Sequence, residues 1–179
     1  EVLELLEADP YLKGVVSELP LEGSLLPETY HYAYGDNRAE MVQRMSQGMK
    51  QLVAELWPRR DPKLPLKSHE EALVLASIVE KETSLAEERP RIAAVFVNRL
   101  RKGMRLQSDP TVSFAVTDGK AALDRKLTRK DLKLDHPYNT YVIKALPPGP
   151  IAHPGREALE AVLHPAETDE FYFVADGKG

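Results

Sequence analysis

The chain has 179 residues, 42% of them hydrophobic, which is enough for one domain core with at most a small appended piece. The 24 basic and 28 acidic residues are mixed along the sequence and give a net charge of -4, so no basic stripe indicates a nucleic-acid partner. The absence of cysteine excludes disulfides and thiol catalysis.

The first predicted elements resemble the edge of a domain. Residues 1–6 look like the end of a preceding helix, and residues 10–20, which begin and end with proline, look like a linker. The chain opens at Glu1 without a methionine and has no run of about 18 apolar residues, so we expect a soluble fragment of a longer protein. We predict that residues 1–19 are a linker or the tail of a preceding N-terminal domain, and that residues 20–179 form the main domain.

Two elements lead to the most informative segment. Residues 21–34 end with tyrosines at alternate positions, which is typical of a short strand or an extended loop. Asp36 or Asn37 then caps a helix that presents methionine and leucine on one face and runs to Trp57. Residues 58–67 contain three prolines and are predicted to form a stiff connector.

Residues 68–83 are predicted to form an amphipathic helix. A capping box marks its start, with the Ser68 hydroxyl accepting from the Glu71 amide and the Glu71 side chain reaching back to the Ser68 amide. At about 100° per residue, one apolar stripe forms along the helix. It consists of Leu75, Ile78 and Val79.

Glu82 lies on this stripe, three residues after Val79, whereas Glu80 falls to one side. Burial against apolar side chains disfavours the ionised form and raises a carboxyl pKa, which is how a general acid for glycosidic chemistry is prepared. We therefore single out Glu82 as a candidate catalytic acid. The alternative is that Glu82 lies past the last buried turn and is solvated.

A second helix is predicted around residues 87–102, because Pro90 suits a first turn and Gly103 a stop. We expect it to pack against the preceding helix as an antiparallel pair. Beyond it, short strands with turn residues are predicted to replace helices, except for a short helix near residues 156–163. The pattern indicates an α+β fold, and it does not indicate a doubly wound parallel sheet because strands and helices do not alternate.

Six blocks of sequence, taken in order, resemble the YceG-like family of endolytic murein transglycosylases (MltG). They are E-G-S-L-L-P-E-T-Y (22–30), I-V-E-K-E-T (78–83), V-N-R-L-R-K-G-M-R-L-Q-S-D-P-T-V (97–112), Y-N-T-Y (138–141), L-P-P-G-P-I (146–151) and F-Y-F-V-A-D-G-K-G (171–179). The resemblance implies a lysozyme-like helical core that carries the catalytic Glu, together with a small, mostly antiparallel sheet.

The same resemblance implies a bacterial enzyme that cleaves nascent peptidoglycan strands internally and so terminates their elongation. Its catalytic domain would lie outside the cytoplasm, on the periplasmic side, held to the cytoplasmic membrane by an N-terminal helix that this chain lacks. The partners implied are glycan strands and peptidoglycan synthases. No cofactor is expected, and none of the five histidines has metal-ligand spacing, so we predict no metal site.

The family's catalytic acid matches Glu82, the second Glu of E-K-E-T. The resemblance implies that Glu82 protonates the bond between N-acetylmuramic acid and N-acetylglucosamine. It then acts as a base on the muramic C6 hydroxyl, leaving a 1,6-anhydro end. Substrate-binding roles are predicted for Gln107, Asn139 and Thr140, through their polar groups, and for Tyr138 and Tyr141, through their rings. If residues 138–141 form a strand, at most half of those four side chains face one cleft.

Asp109 keeps a second mechanism open. If it lies about 5 Å or about 8 Å from Glu82, the pair has the geometry of a retaining or an inverting muramidase-type hydrolase. Alternatively, Asp109 forms a turn in S-D-P-T, or it contacts substrate without reacting. A third possibility is a non-catalytic peptidoglycan-binding scaffold, which would have no use for an acid on an apolar helix face.

Overall fold

The computed structural model describes residues 2–173, and their regular secondary structure is helical. Within this range the helices are α1 (Val2–Ala8), α2 (Arg38–Leu56), α3 (His69–Glu82), α4 (Arg89–Arg101), α5 (Asp109–Thr117) and α6 (Arg156–Leu163). Two short 3-10 turns lie at Trp57–Arg59 and Asp131–Lys133. None of the helices in residues 2–173 combines the length and the hydropathy needed to cross a membrane.

Helices α3, α4 and α6 form the centre of the core. Helix α6 packs against both α3 and α4, and these two helices also contact each other. The apolar stripe of α3 is completely buried, as is Phe96 of α4 and, to within 1%, Leu159 of α6. Each such side chain contributes about 2 kcal/mol by leaving water. The end of α3 is therefore held by a rigid three-helix frame.

Local sequence signals correctly predict the starts of the first long helices. The Asn37 side chain accepts from the Ala39 amide at the start of α2, and the Ser68 hydroxyl accepts from the Glu71 amide at the start of α3. One detail of the capping box differs, because the Glu71 carboxylate accepts from the Lys67 amide at 2.6 Å. Pro90 lies in the first turn of α4, as predicted.

The segment before α2 is fastened to it by Arg38. Its guanidinium donates to the carbonyls of Leu6 at 2.7 Å, Asp9 at 2.6 Å and Gly14 at 3.0 Å. A single parallel bridge joins Lys13 to Asn37 beside this contact. The predicted division between residues 1–19 and 20–179 stays a prediction.

The predicted α+β fold is wrong, because residues 2–173 contain no sheet, and the small antiparallel sheet expected beside a lysozyme-like core is not formed there. In residues 138–143 the strand is replaced by turns. The amides of Val142 and Ile143 donate to the Asn139 carbonyl at 3.0 and 3.1 Å. The Asn139 side chain accepts from the Tyr141 amide at 3.0 Å. These local bonds occupy groups that a sheet partner would need.

Two other segments form no paired strand in the described residues, for related reasons. The segment at residues 146–151 contains three prolines, which have no N–H to donate, and the Ile151 amide donates to the Ser77 hydroxyl at 3.0 Å. Residues 171–173 are extended, but side chains of α4 bind the carbonyls of this segment instead of a neighbouring strand. The last two residues of the predicted final strand, 174 and 175, lie outside the described range, as do residues 176–179.

Residues 109–117 form helix α5, where the sequence analysis expected short strands and turns in place of helices and a possible turn at Asp109. Ser108 occupies the N-cap position and Pro110 lies in the first turn. This is the same first-turn signal that correctly predicted α4 at Pro90. The helix is short and ends at Asp118, whose φ of 53° is left-handed.

Candidate active site

Two glutamates near the end of α3 have opposite surroundings, and the first of them forms structural contacts. Glu80 accepts from the Arg89 guanidinium at 3.1 Å and from the Gly155 amide at 2.9 Å. Arg89 is nearly buried and also pairs with Glu157. Glu80 therefore ties α3 to α4 and to the start of α6, and its carboxylate has a fixed positive partner.

Glu82 is half-buried, and the partner of its carboxyl group is a neutral hydroxyl. The Ser108 Oγ donates to Glu82 Oε1 at 2.5 Å. Burial raises the pKa of Glu82 above its ordinary value of 4.5, and the negative charge of Asp109 raises it further. The Ser108 hydrogen bond and the positive charge of Arg99 act in the opposite direction but do not cancel the rise. The predicted raised pKa is confirmed.

This direction of shift distinguishes Glu82 among the acidic groups. Within residues 2–173, it is the one carboxyl group whose pKa is clearly raised, and the other clear shifts are downward. The groups with lowered pKa are Asp9, Glu55, Glu70, Asp118, Asp131 and Glu170. All six accept hydrogen bonds that stabilise the anion, which is the reverse of what a proton donor needs. Glu82 is thus the carboxyl group whose surroundings most favour the protonated form.

Buried hydroxyl groups fix the backbone of Ser108. The Ser108 amide donates to Thr140 Oγ1 at 3.0 Å, and Thr111 Oγ1 donates to the Ser108 carbonyl at 2.7 Å. The two threonine hydroxyls are themselves 2.8 Å apart. All three residues are at most 1% exposed. Because the polar groups of this buried network already have hydrogen-bond partners, the Ser108 hydroxyl has few possible partners other than Glu82.

Gln107 is exposed and has a φ of 51°, in the left-handed region that non-glycine residues rarely adopt. Its amide donates to the Thr140 carbonyl at 3.1 Å. The turn lets Leu106 enter the core while Ser108 faces Glu82. Strain of this kind persists where surrounding contacts hold it, and it is concentrated at functional sites.

Arg99 is the positive group of the site. It is 6% exposed, and it donates to the carbonyls of Phe171, at 2.8 Å, and Leu106. Burial lowers the pKa of its guanidinium, while the nearby Tyr172, Glu82 and Tyr141 act to raise it. Arg99 therefore brings a buried positive charge close to Glu82 without forming the direct ion pair that fixes Glu80.

Asp109 and Tyr141 form the exposed side of the site. The Tyr141 hydroxyl donates to Asp109 Oδ1 at 2.6 Å. Burial raises the pKa of Tyr141, and the bond to Asp109 raises it further, so the phenol remains a donor. Asp109 is exposed at the first position of α5 and its charge reaches Glu82.

The remaining predicted residues lie in the loop beneath this surface. Asn139 is completely buried, and its side-chain amide donates to the Leu134 carbonyl at 2.8 Å. The Tyr138 ring packs against Phe114, with ring centroids 4.7 Å apart. The structure therefore brings Glu82, Asp109 and Tyr141 together, with Gln107 and Thr140 in the adjoining turn, and leaves Asn139 with no exposed surface. The predicted substrate-binding roles stay predictions.

The sequence reasoning missed Ser108 and Arg99. A signal for each was present, because Ser108 precedes an Asp-Pro pair as an N-cap does. Arg99 lies three residues after Phe96 and seven after Ile92, which places it on the apolar face of α4. A positive residue on an apolar face is either paired or functional.

Two clefts lie elsewhere on the protein. One, of about 420 Å3, is lined by residues of α2 and of the start of α3, including His69, and another, of about 540 Å3, lies beside α1. Glu82 lines neither of them. Asp9 in the second cleft has a lowered pKa because Tyr32 donates to it. We place the candidate site at Glu82 because burial raises the pKa of its carboxyl group, as a proton donor requires. Within residues 2–173, no three histidine, aspartate or glutamate side chains are grouped so as to hold a metal ion.

Comparison with known proteins supports the family resemblance of the sequence blocks that surround this site. The sequence profile of the YceG-like family matches residues 2–179. The chain belongs to the YceG-like family. Its similarity to individual members extends over most of its length, so Glu82, Ser108 and Arg99 all fall within the matched family region.

An endolytic murein transglycosylase of Bacillus subtilis (strain 168) is 41% identical over 160 residues, which cover 89% of this chain and 43% of that protein. The endolytic murein transglycosylase of Streptococcus pneumoniae serotype 2 (strain D39 / NCTC 7466) is 34% identical, with coverage of 96% and 31%. The crystal structure of a YceG-like protein from Listeria monocytogenes matches with a TM-score of 0.73 and 38% identity, covering 89% of this chain and 51% of that one. The chain thus spans less than half the length of the two curated relatives.

Proposed function

We propose that this chain is the catalytic part of a peptidoglycan lytic transglycosylase that cleaves glycan strands internally, with residues 20–179 as the catalytic domain. The observation that carries the proposal is the Glu82 carboxyl group, which is half-buried, has a raised pKa and is bonded to a neutral hydroxyl. Membership of a family whose curated members are named endolytic murein transglycosylases supports the choice of substrate and product.

The first step is proton transfer to the bond that breaks. Because Ser108 donates to Glu82 Oε1, we assign the acidic proton to Oε2, the oxygen that does not accept from Ser108. Oε2 gives this proton to the oxygen that links muramic C1 to N-acetylglucosamine. As the C1–O bond breaks, the N-acetylglucosamine leaves with a free hydroxyl group and positive charge develops at C1.

The second step reverses the role of the same carboxylate. Ionised Glu82 removes the proton from the muramic C6 hydroxyl, and that oxygen attacks C1 to close a 1,6-anhydro ring. No water is consumed, and Glu82 ends the cycle protonated, as it began. The acetamido group of the substrate stabilises the charge at C1, so no second carboxylate has to act as nucleophile.

The neighbouring groups adjust Glu82 between these steps. The Ser108 hydroxyl and the Arg99 charge stabilise the anion that forms after the first transfer, while burial and Asp109 favour the proton before it. The buried Thr140 and Asn139 hold the turn that carries this surface, and the exposed Gln107, with the half-buried Tyr141, is placed to contact sugar groups. The proposed partner is a nascent glycan strand outside the cytoplasmic membrane, where a membrane anchor and peptidoglycan synthases would bring the enzyme to its substrate.

The test is mass spectrometry of the products after incubation with uncrosslinked peptidoglycan strands. The wild-type chain is expected to release anhydromuramic ends, and Glu82→Gln to release none. Glu87→Gln is the matched control, because Glu87 is an exposed glutamate on the loop after α3. Thermal unfolding of each variant establishes that the loss does not come from misfolding.

Each other outcome identifies a different function. Reducing ends in place of anhydro ends would mean that water reaches C1, which is the muramidase reaction with Asp109 as its second carboxylate. Strand binding without cleavage by the wild-type chain would mean that the protein is a scaffold. Equal activity of the wild type and Glu82→Gln would remove Glu82 from the mechanism.

A further inference from the structure

An extended segment at residues 168–173 lies along α4 and is held by side chains of that helix. The Asn98 side-chain amide donates to the carbonyls of Thr168 at 2.7 Å and Glu170 at 3.0 Å. Arg99 Nε donates to the next carbonyl, that of Phe171, at 2.8 Å. Three hydrogen bonds, to the carbonyls of residues 168, 170 and 171, therefore hold this backbone against α4.

The next residue in the segment, Tyr172, presents its ring to solvent. Its exposed fraction is 69%, although its neighbours on both sides are anchored. Phe171 is anchored through its carbonyl, and the Phe173 ring meets Phe96 edge-on at a centroid distance of 5.8 Å. A large aromatic ring that the core does not need, on a backbone that cannot move away, is typical of a binding surface.

The Tyr172 ring lies close to the candidate active site because it rests on Arg99. The centre of the guanidinium is 5.3 Å from the ring centroid, within the range of a cation–π contact. The same guanidinium interacts electrostatically with Glu82 and Tyr141. Arg99 thus contacts the exposed Tyr172 ring and also interacts electrostatically with the carboxyl group that is proposed to react.

We propose that Tyr172 is a stacking platform for an N-acetylhexosamine ring of the glycan strand, next to Glu82. Arg99 lies over one face of the tyrosine ring, and because most of the residue is exposed, the sugar would pack on the other face. Pyranose rings present a face of C–H groups that packs on the electron-rich face of an aromatic ring. Tyrosine provides such a surface at low conformational cost because it has only two side-chain torsions. The inference rests on the proposed function for the identity of the strand.

The experiment measures strand binding without turnover. Uncrosslinked glycan oligosaccharides are titrated into Glu82→Gln by calorimetry, and Tyr172→Leu and Tyr172→Phe are then added separately to that background. Leucine keeps an apolar cover on Arg99 but has no flat ring, so affinity is expected to fall about two- to tenfold. Phenylalanine keeps the ring and is expected to retain the affinity of Glu82→Gln.

Tyr34 offers a matched control. It is 77% exposed, and the Lys13 ammonium lies 5.5 Å from its ring centroid, so it repeats the pairing of an exposed ring with a cation. It precedes α2 and has no part in the candidate site, and Tyr34→Leu is therefore expected to leave affinity unchanged. An equal loss in Tyr34→Leu and Tyr172→Leu would show that exposed tyrosines act nonspecifically, and would overturn the proposal.

Other results separate this proposal from the function on which it rests. Three results would each overturn the proposal that Tyr172 is a stacking platform. The first is unchanged affinity in Tyr172→Leu, and the second is a loss of affinity in Tyr172→Phe equal to that in Tyr172→Leu. The third is no glycan binding by Glu82→Gln. The products of the wild-type chain are measured independently. Ring-dependent binding with no anhydro ends would leave the platform standing and remove the transglycosylase function.

Discussion

The two sides of the α3 C-terminus place similar carboxyl groups in opposite electrostatic surroundings. On one side, Glu80 is surrounded by the Arg89 guanidinium and the Gly155 amide, which both stabilise an anion. On the other side, Glu82 meets a single neutral hydroxyl and is partly removed from water. Two residues of separation are enough to move a glutamate from one side of the helix to the other, because each residue turns the helix by about 100°.

The comparison shows how one helix end can serve both the fold and the chemistry. The Glu80 side fixes the position of α3 against α4 and α6, so the carboxyl group on the other side is held in place without a positive partner of its own. A catalytic acid needs this combination, since a direct ion pair would fix its position but would also remove its proton.

The largest expected effect separates the two glutamates in activity. Glu82→Gln should lower the rate of glycan cleavage by about a hundred- to ten-thousandfold, because it removes the group that transfers the proton. Glu80→Gln should retain most of the activity at a temperature where the variant is folded. Product release measured by mass spectrometry checks both, and a larger loss in Glu80→Gln than in Glu82→Gln would reverse the assignment.

The second prediction concerns two neighbours of Glu82 that act on its pKa in opposite directions. Ser108→Ala removes a donor to the anion, so the pKa of Glu82 should rise and the alkaline limb of kcat/KM should move to higher pH. Asp109→Asn removes a nearby negative charge, so the alkaline limb should move to lower pH. Ser108→Ala should also lower the maximal rate roughly ten- to a hundredfold, because the carboxyl group loses its orientation.

Each of these two variants serves as the control for the other, because they are expected to shift the pH profile in opposite directions. A shift of both pH profiles in the same direction would mean that the alkaline limb of kcat/KM does not reflect the ionisation of Glu82. If Asp109→Asn abolishes cleavage over the whole pH range, its carboxylate takes part in the chemistry, and the two-carboxylate mechanism becomes the better account.

The third prediction tests Glu80 as a structural group. Glu80→Gln should lower the free energy of unfolding by about 2 kcal/mol, because the nearly buried Arg89 loses one of its two carboxylate partners. Urea unfolding measures the loss. Glu170→Gln breaks the Arg91 pair at the surface and should cost less, since solvent screens that pair. Equal losses of unfolding free energy in the two variants would mean that the Glu80–Arg89 pair stabilises the fold no more than the surface pair does.

The smallest effect is a pH-dependent difference in stability between the wild type and Glu82→Gln. Because the folded-state pKa of Glu82 is raised above 4.5, the folded chain holds this proton more tightly than the unfolded chain does. The stabilising contribution is full below pH 4.5 and is lost as the pH rises through the folded-state pKa. Wild-type stability should therefore fall relative to Glu82→Gln over that interval, as urea unfolding at a series of pH values will show. A parallel pH dependence of the two proteins would contradict the raised pKa.

Sequence reasoning found the long helices and the partly buried position of Glu82 on α3, and it failed where a segment had no regular partner. Residues 138–143 carry the β-branched and aromatic residues of a strand, but Asn139 forms the turn bonds that decide the conformation. Residues 171–173 form no strand, and the Phe171 carbonyl accepts a hydrogen bond from Arg99 of α4 and not from another strand. A strand needs a partner that residue preferences alone do not supply.

The sequence by itself determined the cap at Ser68, the apolar face of α3 and the position of Glu82 on that face. These features depend on residues three or four positions apart, whose geometry is repeated in every helix. Only the tertiary structure decided that Ser108, 26 positions from Glu82, is its hydrogen-bond donor. The same holds for Arg99 beneath Tyr172, since both contacts depend on the path of irregular segments and the packing of whole helices.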